Sequence, residues 1–200
     1  MVIMKKSLLI LLATVAGAAR LASGQSADLH FVGGQSLLSN TSLGSSIPLG
    51  SKDDYKLDDG FRFGFRFAFN SASRYGQELQ YGYSRTHLLL NGVDQGGMGI
   101  HLGGYNGLVY ATKDGARFRP FATGGVHFAN FVPPGSSASS GQGSTKFGLN
   151  YGAGLKVKLS SMWSMRLDYR QYITPKPFNL YNTEGWLRQT EISAGFGIHF

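Results

Sequence analysis

A serine nucleophile is most often activated by a histidine and a carboxylate in hydrogen-bond reach. The 200-residue sequence offers five histidines for that role: His30, His87, His101, His127 and His199. Three of them, His101, His127 and His199, fall on the polar face of alternating runs, where a lone histidine is more often a member of a hydrogen-bonded network than a base. No residue set is singled out as catalytic. The acids of "KDDYKLDD", Asp53, Asp54, Asp58 and Asp59, could offer oxygens to calcium. They lack the alternating spacing and the glycine of an EF-hand loop, so a solvated loop without metal or cofactor is expected. The third available chemistry is ion pairing. Its candidates are Arg62, Arg66, Glu78, Arg119, Lys156, Lys158, Arg166, Asp168, Arg170 and Glu191, spread singly along the chain.

What must position them is a set of strands. In "FRFGFRFAF", residues 61–69, Phe61, Phe63, Phe65, Phe67 and Phe69 occupy every odd place, a period of two that only a strand turns into one face. The same period sets Leu79, Tyr81 and Tyr83 against Glu78, Gln80 and Gly82. It sets Met98, Ile100, Leu102, Leu108 and Tyr110 against Gly99, His101, Gly103, Tyr105 and Gly107, with Asn106 as a blemish on the apolar face. Ala122, Val126 and Phe128 then oppose Arg119, Thr123 and His127. The runs 147–159, 165–170 and 191–200 are cleaner, and a weaker first strand spans about 27–37. Eight strands result. Residues 39–59, 91–97, 133–145 and 174–186 form longer connections, and residues 70–76, 112–117 and 160–163 shorter ones.

Composition bounds the rest. The formal net charge is +8, of which Lys5, Lys6 and Arg20 precede the strands, leaving +5. No basic run offers a phosphate track, which argues against nucleic acid as a partner. Residues 1–24 read as a cleavable signal peptide: two lysines, an apolar run from Ser7 to Ala19 too short to span a bilayer, then Ala22 and Gly24 before Gln25. Residues 25–200 form the exported domain. With no cysteine, its rigidity must come from a fully hydrogen-bonded sheet.

The glycines decide which face is inside. The polar face carries Gly64, Gly82, Gly103, Gly152, Gly154, Gly195 and Gly197 between its charges. In a strand facing water glycine only weakens the structure, whereas inside a narrow barrel each arginine needs small neighbours. The phenylalanines of 61–69, with Phe196 and Ile198, are therefore expected to face lipid, and the charges a packed polar lumen. Trp163 and Trp186, with Tyr75, Tyr172 and Tyr181, suit the interfacial girdles. Hairpin pairing predicts Arg66 beside Glu78 and Arg170 beside Glu191, both inward.

"YGAGLKVKLSSMWSMRLDYRQY", residues 151–172, resembles the penultimate hairpin of the outer membrane β-barrel family that includes the OmpA-type transmembrane domain. "EISAGFGIHF", ending in Phe200, is similar to the C-terminal strand such proteins present to the barrel-insertion machinery. The resemblance implies an all-β, eight-stranded, up-and-down antiparallel transmembrane barrel in the outer membrane of a Gram-negative cell. Membrane lipids and the insertion machinery are then its partners, and the extracellular partner is unnamed. Since strand eight ends the sequence, the peptidoglycan-binding domain of longer OmpA-type proteins is not expected. A structural or surface-interaction role without catalysis follows. Two alternatives stay open: a lipid-modifying enzyme, although the histidine–x–serine–asparagine pattern of the lipid A deacylases is missing, and a narrow, weakly anion-preferring pore.

Overall fold

Alternation at period two becomes ten strands in the computed structural model, which describes residues 25–38, 41–71, 74–137, 143–183 and 185–200. The expected signal peptide, 1–24, lies outside them. The strands are β1 (Gln25–Leu37), β2 (Thr41–Gly44), β3 (Tyr55–Leu57), β4 (Gly60–Ser71), β5 (Tyr75–Leu90), β6 (Val93–Tyr110), β7 (Phe118–Val132), β8 (Ser144–Lys158), β9 (Trp163–Pro175) and β10 (Trp186–His199). Eight of them close into an antiparallel barrel in the order β1-β4-β5-β6-β7-β8-β9-β10. The seam is β1 with β10, paired from Asp28↔His199 to Leu37↔Thr190. Closure leaves no edge in the bilayer, where an unpaired backbone amide has no water to bond. Chain termini and short turns mark the periplasmic end, and the longer connections the extracellular end.

Two of the four longer connections differ from expectation. The first contains its own hairpin, β2–β3, and β3 adds to the outer end of β5 through Tyr55↔Leu90 and Leu57↔Leu88. It takes over where β4 leaves off, because β4 pairs with β5 only as far as Phe61↔Arg85. The acids between them serve the backbone: Asp58 N–H donates to the His87 carbonyl at 3.0 Å, and Asp59 Oδ1 accepts from Leu38 N–H at 2.5 Å. The 91–97 connection is mostly strand. Asn91 and Gly92 make a two-residue turn at φ 49° and 81°, the left-handed pair that a tight hairpin requires. Pairing resumes at once with Leu90↔Val93 and shifts register between His87 and Leu89.

Above the seam, Ser45 and Tyr181 exchange two backbone hydrogen bonds of 2.8 Å each. Asn182 adds a bond to the Gly50 carbonyl at 2.6 Å, so the first and last connections are clasped together.

Candidate functional site

The inward residues form three layers. At the periplasmic end Asp28 of β1 gathers Lys156, His199 Nδ1 at 2.8 Å and Asn70 Nδ2 at 2.6 Å. Tyr110 donates to Asn70 Oδ1 at 2.7 Å, and the Arg119 guanidinium lies 3.8 Å over the Tyr110 ring with Asp114 at 2.5 Å. Lys158 sits at the half-buried mouth.

The middle layer holds most of the expected network, buried almost completely. Two arginines of β9 reach Glu78 of β5: Arg166 at 2.6 Å and Arg170 at 2.8 Å. β5 and β9 are four strands apart whichever way the ring is counted, so these pairs span the lumen. Arg66 approaches Glu78 at 3.6 Å and also binds Glu191, which takes Arg62 at 2.9 Å as well. Asp168 is held by Arg166 at 2.7 Å and by Arg170 at 3.2 Å. Four guanidiniums thus interlock with three carboxylates, an arrangement in which each buried charge keeps a partner.

The outer layer is apolar. Leu38, Leu57, Met98, Ile100, Phe131 and Leu187 are buried to 2 % exposure or less and form one cluster with Leu43 and Ala129. Their origin corrects the reading of β6. Met98, Ile100, Leu102, Leu108 and Tyr110 face the lumen, together with Asn106, while Gly99, His101, Gly103 and Tyr105 face outward. Register fixes this phase, since Tyr83 opposite His101 and Phe63 opposite Tyr83 share the outer wall. Asn106 was the informative residue: it donates to Glu78 Oε1 at 3.2 Å.

Three further expectations change. Tyr172 is no girdle residue but fully buried, donating to Glu191 Oε2 at 2.8 Å and lying under Arg62, whose guanidinium is 4.8 Å from its ring. Arg170 and Glu191 are register partners, yet each turns to another residue: Arg170 to Glu78 and Asp168, Glu191 to Arg62 and Arg66. Asp28 and Asp114 join the acids facing the basic residues, so the excess of positive charge falls from four to two. Gln80, whose Oε1 accepts from Arg66 at 2.9 Å and from Arg170 at 3.2 Å, was also missed. Alternation from Glu78 leads to Gln80, and from Arg166, Asp168 and Arg170 to Tyr172.

Outside, Phe61, Phe63 and Phe65 are 42–52 % exposed, and Phe67, Phe69 and Ile198 point the same way at partial exposure. Trp163 stacks on Phe196 at 5.0 Å near the periplasmic rim, and Trp186 stands exposed at the extracellular rim. Phe200 exchanges backbone bonds with Ala27 at 2.7 and 2.9 Å, and its ring lies 6.4 Å from that of Phe67.

No Ser–His–carboxylate set assembles among the described residues. His30 Nε2 is 2.8 Å from Ser164 Oγ inside the lumen, but its Nδ1 has no partner to orient it. Nor do three metal-type side chains converge there.

A greasy outer wall, a polar lumen and a closed ring of eight strands describe a barrel built for a bilayer, and the sequence matches the family profile "Outer membrane protein beta-barrel domain" over residues 8–200. The chain belongs to this family. The outer membrane barrel is similar in fold to OprG from Pseudomonas aeruginosa, with 16% identity, 88% of this chain and 97% of that one covered, and a TM-score of 0.59. Neisserial surface protein A follows at 16% identity, 89% and 98% coverage and 0.54. Ail of Yersinia pestis, solved with the heparin analogue sucrose octasulfate, is similar at 12% identity, 88% and 99% coverage and 0.52. No curated protein matches the sequence.

Proposed function

We propose that this outer membrane barrel is a closed, non-conducting protein with a structural or surface-interaction role, displaying the sheet β2-β3-β5-β6 to the exterior. One observation carries the reading: Arg166 and Arg170 cross the lumen to Glu78, so the opposite walls are a single ion pair apart. An apolar layer above them adds a second barrier. Moving an ion through would require breaking buried pairs whose separation strands charge in a low-dielectric site. Planar-bilayer recording is the test. The wild-type protein should give no steady conductance, and large, stable, anion-selective steps would replace the closed barrel with the pore.

Assembly partners belong to the same reading. The Phe200 ring is exposed on the lipid side of the seam, where the insertion machinery would meet the last strand. Deleting Phe200 should slow insertion and leave protein in the periplasm; a normal outer membrane yield would remove Phe200 from that role.

A further inference from the structure

Arg119 is only partly engaged by its neighbours. Its guanidinium lies flat on the Tyr110 ring, 3.8 Å from the centroid, and Nη1 donates to Asp114 Oδ1 at 2.5 Å. The remaining edge, Nε and Nη2, is buried and has no partner among the described residues. That edge carries two parallel N–H donors, the fork with which arginine grips anions. Beside it, inside the periplasmic mouth, is a largely enclosed cavity of about 10 Å³, walled by Arg119, Lys156, Lys158 and Ser164 and closed from below by Asp114 of the β6–β7 turn. A space of that size takes one water-sized particle.

The turn is fixed in place, since Asp114 Oδ2 accepts from Ser26 Oγ at 2.7 Å and so ties it to β1. The carboxylates around the cavity are already engaged. Asp114 serves Arg119 and Ser26, and Asp28 serves Lys156, Asn70 and His199. Ser164 Oγ is 2.8 Å from His30 Nε2; with the histidine donating there, the serine keeps its own O–H to give. Lys158 is half-buried and makes no ion pair among the described residues. Three cations, Arg119, Lys156 and Lys158, therefore stand against two carboxylates. The cavity offers hydrogen-bond donors and one uncompensated positive charge.

We propose that this cavity is a binding site for one halide ion, held by the Nε–Nη2 edge of Arg119 with Lys158 and Ser164 completing its shell. A water molecule brings two hydrogens that need acceptors, and the carboxylate oxygens here are taken. A halide accepts from every donor and cancels the surplus charge, the condition under which a buried cation is tolerated. Volume excludes phosphate and sulfate, so the ligand class is a monatomic anion. Bound there, the ion fills the periplasmic mouth beneath the Glu78 layer.

Urea unfolding of the full chain in lipid vesicles prepared in sodium chloride, sodium bromide or sodium sulfate, at equal ionic strength, tests the site. Sulfate stabilises folded proteins generally through its exclusion from their surface, so a general salt effect would favour sulfate. The halide site reverses that order, and chloride and bromide should give the higher midpoints. Above the dissociation constant, each tenfold rise in chloride, balanced with sulfate, should raise the folded-to-unfolded ratio about tenfold. Arg119→Gln should abolish this dependence. Lys158→Gln, at the half-buried mouth where folding is less at stake, should weaken it. Arg74→Gln, which removes an exposed charge at the same end, should leave it as in wild type. A midpoint in sulfate equal to or above that in chloride would overturn the site and put a water in the cavity. So would an undiminished chloride dependence in Lys158→Gln, or an equal loss in Arg74→Gln.

Discussion

β4 and β6 flank the same strand, β5, and both alternate at period two, yet they put their apolar residues on opposite sides of the wall. β4 turns Phe63 and Phe65 to lipid and Arg62 and Arg66 to the lumen. β6 turns Met98, Ile100 and Leu102 to the lumen and glycine and His101 to lipid. Polarity therefore does not define the inside of this barrel. The lumen is charged at the height of Glu78 and apolar at the height of Ile100, six residues further along β6 from the partner of Glu78. Side is set by register and layer chemistry by height. Closing a tube with ion pairs demands fixed geometry, while closing it with hydrocarbon demands only filled volume.

The sharpest way to break the contrast is Glu78→Ala, which leaves the four interlocked guanidiniums with only Asp168 and Glu191 as counter-charges and should cost about 3–5 kcal/mol. Urea titration of protein folded in lipid vesicles measures it. In the apolar layer, Ile100→Ala should cost about 2–5 kcal/mol by leaving a cavity, with the volume-conserving Ile100→Leu under about 1.5 kcal/mol. Equal costs for the two Ile100 variants would mean that the layer is not packed. On the outer wall, Phe65→Arg should cost about 2–4 kcal/mol, since it puts a charge into hydrocarbon, whereas Phe65→Leu should cost much less. Equal costs for the two Phe65 variants would mean that the residue does not face lipid. His101→Leu, outward on β6, should change stability by less than about 1 kcal/mol, losing one exposed hydrogen bond; a larger cost would place His101 among the structural residues.

The smallest effect concerns pH. Gly96 N–H donates to Asp94 Oδ1 at 2.7 Å, which with the His87 contact holds this exposed carboxyl below the ordinary aspartate range. A depressed folded value means that the contribution is present above the unfolded value, about 3.9, and lost as pH falls through the folded one. The side-chain carboxyl carbon of Asp94 should show its titration step below that unfolded value. A step at or above it would show that the carboxyl is not held there.

Period was legible along the barrel strands after the weaker first one, but phase was legible only where one face carried aromatics or charges, as in β4, β8, β9 and β10. On β6 the glycines left the outer face featureless, and the apolar inner residues were indistinguishable from a lipid-facing set. Asn106 alone carried the signal. The β2–β3 hairpin was invisible because runs of four and three residues are too short to show a period. Asn91–Gly92 could have been read as a hairpin turn, and the 91–97 connection shortened accordingly. Which arginine meets which carboxylate depends on the barrel's diameter, and no spacing along the chain reports that.

The clasp between Ser45 and Tyr181 bears on how the protein is made. Every other barrel pairing joins consecutive segments of the sequence, whereas the seam joins its two extremes, Asp28 with His199. Such pairing carries the highest contact order in the molecule and is the slowest to form. The clasp bridges the same two segments from outside, so once made it turns a search over the whole chain into the closing of a short residual loop. The seam, open longest during biogenesis, thereby becomes the join tied from both faces of the membrane, by Phe200 with Ala27 below and Ser45 with Tyr181 above.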